Sequence, residues 1–227
     1  MNRKPSSISY PTLAAALLLV AGMALLAACG GKPTAYVQNY IFAYPPPAPQ
    51  KIERLPVGIK VQRFEALPQF SSQRMFYIPG NYRMDHYVDR RWQGYPSDMV
   101  AGLLARDMAA SHMFAAVFGP VSPQTPRFDL TGGLVQCWED DRAGGPEAVL
   151  EVEIALLDIQ QGQTIKRVLF QKRYKATQKM AAKTAESLAQ AMSQAVARIS
   201  PQVSLDVYQA VQQRLREGEP PLKKPMR

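Results

Sequence analysis

The chain has 227 residues, with 27 Lys and Arg against 18 Asp and Glu, a formal net charge of +9 and two cysteines. That length supports one domain with a sizeable core and a tail at each end. Two cysteines exclude a multi-bridge disulfide scaffold, and His86 and His112 lie far apart with no HxxxH or CxxC spacing, so no metal site is expected.

Residues 13–28 carry no charge, but the run is shorter than the ~20 residues a membrane-spanning helix needs. Arg3 and Lys4 precede it and Ala27-Ala28 close it, the layout of a secretory signal peptide. Leu26-Ala27-Ala28-Cys29 resembles a bacterial lipobox. In such a motif the peptidase cuts between Ala28 and Cys29, diacylglycerol joins the cysteine thiol, and the new amino terminus is acylated with a chain such as palmitate. The expected organisation is therefore a signal peptide over 1–28, a lipidated tether over 29–35, a domain over 36–216 and a disordered tail over 217–227. The covalent lipid on Cys29 is the one non-protein group expected. Gly30 stands where an aspartate favours inner-membrane retention, so the expected location is the periplasmic face of a Gram-negative outer membrane.

Removing residues 1–28 takes away Arg3 and Lys4, leaving 25 basic against 18 acidic side chains, a net +7. In an exported protein such a charge suits anionic lipid or an acidic partner, and no nucleic-acid role is expected. With Cys29 acylated, Cys137 has no partner. In "LVQCW" it reads as a small buried hydrophobe.

"YVQNYIFAY" (36–44) alternates as a strand, and "PPPAPQ" (45–50) reads as a stiff connector outside any sheet. A second strand is predicted through Val57–Val61. In "RMFYIPGNYRMDHYV", Pro79-Gly80 predicts the turn of a hairpin. Ser97 reads as the N-cap of a helix from Asp98 to about His112 with Val100, Leu103, Leu104 and Met108 as its apolar stripe. "RFDLTGGLVQCWED" reads as a strand with a bulge at Gly132-Gly133. The clearest hairpin places Leu150, Val152, Ile154 and Leu156 inward, turns at Gln161-Gly162 and returns from Thr164 to Tyr174. Thr184 caps a last helical region with a stripe from Leu188 to Ile199. Pro201 then either kinks that helix or opens a new one that carries Val203, Val207, Val211 and Leu215.

No catalytic constellation emerges. Glu151 and Glu153 share the outward face of a strand, and Lys166, Lys172 and Arg173 are available as cross-strand partners in a solvated charge ladder. From Ile159 to Ala185 there is no acid. Lys166, Arg167, Lys172, Arg173 and Lys175 are thus candidate contacts to an anionic surface, with a lysine-guarded edge strand as the alternative.

The lipobox, the tyrosine-rich strand, "VGIKVQRFEALPQFSSQRMFYI", "RRWQGYPSDMVAGLLARDM", "VEIALLD" and "AESLAQAMSQAVARIS", in that order, resemble the ABC-type transport auxiliary lipoprotein family. Its members include outer-membrane partners of MCE-domain lipid transport systems, and the resemblance covers about residues 36–210. It implies a non-enzymatic, lipid-anchored periplasmic component of a system moving lipids or other hydrophobic molecules across the cell envelope. An MCE-domain protein and ABC transporter subunits are the implied partners, and a homo-oligomer is a further candidate. Trp92 matches the family's recurring tryptophan, as a partner contact or a core anchor. The rival reading is a structural outer-membrane lipoprotein that assists envelope assembly without touching cargo. The expected fold is α/β, with a mixed, largely antiparallel sheet of six to seven strands and two to three helices packed on it.

Overall fold

The computed structural model describes residues 36–142, 144–162 and 167–218. Ala28, Cys29, Lys166 and the tail from residue 219 on lie outside them. From Val37 onward the described residues form one unit. Its elements are β1 (Gln38–Tyr40), β2 (Leu55–Val61), β3 (Glu65–Ala66), β4 (Arg74–Gly80), β5 (Arg83–Trp92), α1 (Pro96–Ala110), β6 (Phe114–Phe118), β7 (Phe128–Asp140), β8 (Glu147–Asp158), β9 (Val168–Lys179) and α2 (Ala185–Gly218). The class is the expected mixed α/β, with one curled sheet of nine strands and two helices.

β7 is the spine. Along one side it pairs antiparallel with β8, from Phe128 opposite Asp158 to Asp140 opposite Glu147. Its other side is shared in succession by β2, β3 and β4, all parallel to it. β9 continues antiparallel outside β8, β6 lies parallel outside β2, β5 folds back antiparallel on β4, and β1 runs parallel along β5. The longest ladders are antiparallel, but five of the eight pairings are parallel.

The sheet extends past the expected six or seven strands because β3, two residues long, and β6, a short "FAAVF" run without alternation, carry little sequence signal. The hairpin of β4 and β5 turns at Asn81-Tyr82, not at Pro79-Gly80. Pro79 lies beyond Ile78, the last β4 residue in register with β7, so its missing N–H breaks no bond on that side. The irregularity in β7 falls between Leu134 and Gln136, not at the glycines.

Leu150, Val152, Ile154 and Leu156 on β8 are all fully buried, each worth about 1.5–3 kcal/mol on transfer from water. α2 lies across β8 and β9 and also touches α1. Its stripe of Leu188, Met192, Val196, Ile199, Val203, Val207 and Val211 faces the core. Thr184 caps it as predicted: its Oγ1 accepts from the Ser187 N–H at 3.2 Å, and its carbonyl accepts from the Leu188 N–H at 2.9 Å.

Pro201 does not divide α2, because the buried stripe continues on both sides of it. The helix runs through Glu217 and Gly218, two residues beyond the predicted domain end. α1 begins at Pro96 after Tyr95, and Ser97 is a buried residue of its first turn instead of the cap. Proline in that first turn is already set to the helical φ and lacks an N–H that needs a partner there.

Candidate functional site

β9 sorts its charges onto two faces. Arg173 and Lys175 point outward, where Arg173 Nε meets Glu153 at 2.7 Å and Lys175 Nζ meets Glu151 at 3.5 Å. Arg173 also lies 3.7 Å from Glu151, and Gln171 donates to the second oxygen of Glu153 at 2.7 Å. The Arg173 guanidinium, with Gln171, holds the Glu153 carboxyl below the usual carboxylate range.

On the other face Lys172 and the Tyr174 hydroxyl both reach Asp206 of α2 at 2.6 Å. Burial pushes the Asp206 carboxyl up, but these two donors outweigh it and leave its pKa lowered. Three carboxylates thus answer three cations: Arg173 is a cross-strand partner of the two glutamates as expected, Lys175 takes the place expected of Lys172, and Lys172 turns to α2 instead. Arg167 donates to the Gln161 carbonyl at 3.3 Å, within the connection.

Beside this ladder, a groove of about 450 Å³ opens on the sheet face, between the Glu65–Pro68 segment and strands β7, β8 and β9. Thr131, Gly133, Val135 and Ala155 lie along it, Leu67 and Pro68 form a wall, and the Glu153–Arg173 pair closes one side. The two glycines have separate tasks. A Cβ on Gly132 would lie 2.7 Å from the Phe64 ring, so glycine lets that buried ring pack on the β7 backbone. A Cβ on Gly133 would meet nothing within 4 Å, so its missing side chain leaves the groove open. The lining offers apolar contact, the Thr131 hydroxyl, the Gln171 amide, the Glu65 carboxylate and the Glu153–Arg173 ion pair, which suits binding. "TGGL" was the only sequence signal for it, because its wall comes from residues more than sixty positions earlier.

A second cavity, about 390 Å³, is lined by Tyr77, His86, Tyr87, Val88, Asp89, Glu139, Asp141 and Lys183. Tyr87 donates to the Glu139 carboxylate at 2.7 Å, and Lys183 pairs with Asp141 at 3.3 Å. Burial, reinforced by the neighbouring Asp141, pushes the Glu139 carboxyl up to about 7. Sequence patterning did not single out Glu139, because at the end of a strand it resembles any solvated acid.

Trp92 is a core anchor. It is 1% exposed, and its indole meets the Phe42 ring edge-on at 4.7 Å. Cys137 is buried, and burial pushes its thiol up to about 12. No helix among the described residues is long and apolar enough to cross a membrane.

The architecture is that of a known structural class. It is similar to protein XCC0632 from Xanthomonas campestris, with a TM-score of 0.70 at 17% identity, covering 79% of this chain and 99% of that one. A second crystal structure, of an uncharacterized protein, gives a TM-score of 0.55 at 11% identity over 72% of this chain and 99% of that one. No curated protein matches the chain. The model of the ABC-type transport auxiliary lipoprotein component family matches residues 40–204, well over half of the sequence. The chain belongs to that family.

Proposed function

We propose that the protein is an outer-membrane lipoprotein, anchored through Cys29 and facing the periplasm, that serves an ABC/MCE transport system moving lipids or other hydrophobic molecules. One observation carries the reading: the family match runs from Tyr40 in β1 to Ser204 in α2, nearly the whole folded unit, and a lipobox-like Leu26–Cys29 stands just before it. Serine at position 29 cannot form the thioether, and one acyl chain alone gives only marginal membrane binding.

Metabolic labelling with a fatty-acid analogue, followed by separation of inner and outer membranes, tests the anchor and its location. Wild type is expected to carry label in the outer-membrane fraction, and Cys29→Ser to lose both the label and the fraction. Equal labelling of the two proteins overturns the anchor, and labelled protein confined to the inner membrane overturns the location. Failure of Cys29→Ser to complement a deletion strain ties the anchor to function.

A further inference from the structure

The cavity of about 390 Å³ beside β4, β5 and the end of β7 is built around a buried carboxylate whose partner is uncharged. β4 and β7 run parallel with Tyr77 level with Glu139, so the two side chains share one face of the sheet. β5 brings Tyr87 against both: its ring meets that of Tyr77 edge-on at 5.4 Å, and its hydroxyl donates to Glu139 at 2.7 Å. Glu139 is 1% exposed. The nearby cation, Lys183, is taken by Asp141 at 3.3 Å. The Asp141 side chain is only 11% exposed, and its Oδ1 is buried with no hydrogen-bond donor among the described residues.

Two buried carboxylates thus face one ammonium. A buried charge without a counter-charge is costly, so Glu139 holds a proton up to neutral pH: burial, with Asp141 beside it, pushes its carboxyl up to about 7. An additional ammonium would answer both oxygens, because it brings a positive charge and three N–H donors to one point. The rings of Tyr77 and Tyr87 line the same space, and aromatic faces attract cations. Val88 adds an aliphatic wall. The volume is that of a small-molecule site, much larger than a bare ion. Among the described residues no three His, Cys, Asp or Glu side chains are grouped to hold a metal ion.

We propose that this cavity binds a small alkylammonium compound, its ammonium seated between Glu139 and Asp141 and its alkyl group against Tyr77, Tyr87 and Val88. Binding exchanges the ammonium for the Glu139 proton, which passes to the buffer. The other charged or titratable groups that line the site are His86 and Asp89 on β5 and Lys183 ahead of α2. Asp89 is paired with Arg90 and Lys183 with Asp141, so His86 is the group that the test must separate from Glu139. The site depends on neither the anchor nor a transport partner.

The test is calorimetric titration of the full lipidated chain, in maltoside micelles, with n-butylamine and with its neutral counterpart n-butanol. Butylamine stays an ammonium throughout, as a lysine side chain does. With Glu139 titrating at about 7, about a tenth of it is ionised at pH 6 and about nine-tenths at pH 8, so butylamine should bind about tenfold more tightly at pH 8. Runs in buffers of different ionisation enthalpy should show close to one proton released per bound amine at pH 6 and almost none at pH 8. Glu139→Gln should bind several-fold more weakly at pH 8 and lose both the pH dependence and the proton release. His86 is intact in that variant, so a pH dependence that survives there overturns the role of Glu139. Butanol that binds as tightly as butylamine at pH 8, or no butylamine binding at either pH, overturns the site. The proton count on the wild-type chain needs no variant: butylamine bound at pH 6 without proton release also overturns it.

Discussion

Glu139 makes stability depend on pH in a direction opposite to Asp140, Glu153, Asp158 and Asp206, whose carboxyls are held below the usual carboxylate range by their partners. Its side chain is 1% exposed, accepts from Tyr87 and lies next to Asp141. Burial first, then the Asp141 charge, raises its pKa from 4.5 to about 7. A group whose folded pKa is raised contributes its full stability below the unfolded value and loses it as pH rises through the folded one. The loss therefore runs from about pH 5 to pH 8. A shift of this size corresponds to roughly 3–4 kcal/mol at about 1.4 kcal/mol per pKa unit.

Glu139→Gln keeps an acceptor for Tyr87 and supplies a donor toward Asp141, but carries no charge. The variant should match wild type near pH 4.5 and exceed it by roughly 3–4 kcal/mol at pH 8, or about 6–15 °C in Tm for a domain of this size. Denaturant melts of both proteins over that pH range measure the difference directly, since other titrating groups cancel. Parallel wild-type and variant stability curves across the range would refute the reasoning.

Gly132→Ala forces a methyl into the Phe64 ring and should cost about 1–3 kcal/mol, whereas Gly133→Ala meets no atom within 4 Å and should melt within about 1 kcal/mol of wild type. Equal melting of the two removes the distinction between packing and groove. Thr184→Ala deletes the cap on α2 and should cost about 1 kcal/mol, with Thr184→Ser recovering most of it. Cys137, with its thiol raised to about 12, should react with maleimide at pH 7.5 only after denaturation; rapid labelling of the native protein contradicts its burial.

What was legible in the sequence is what periodicity encodes. The β8–β9 hairpin and α2 each bury a long regular stripe, so their faces and the Thr184 cap were readable, while β9 runs on to Lys179, past the predicted Tyr174, and α2 continues unbroken through Pro201. Neighbours were not. A stripe states which face of a strand is buried but not which strand lies beside it, so the parallel docking of β2, β3 and β4 along β7 left no trace. The acid-free stretch from 159 to 185 is silent about pairing for a related reason. The partners of Lys172, Arg173 and Lys175 sit on β8 and α2, outside that window. The groove and the Glu139 cavity are also products of long-range assembly, and local composition carries neither. Trp92 was readable as an important residue, and only its surroundings decide that it anchors the core.

The central claim, that this lipoprotein serves an ABC/MCE transport system, is tested most directly by purifying the tagged, full-length, lipidated chain from cell envelopes in mild detergent and identifying what accompanies it. The account predicts an MCE-domain protein together with an ATPase and a permease, retained by wild type and depleted with Cys29→Ser. Envelope-assembly factors in their place, or the same partners retained regardless of the anchor, would contradict it.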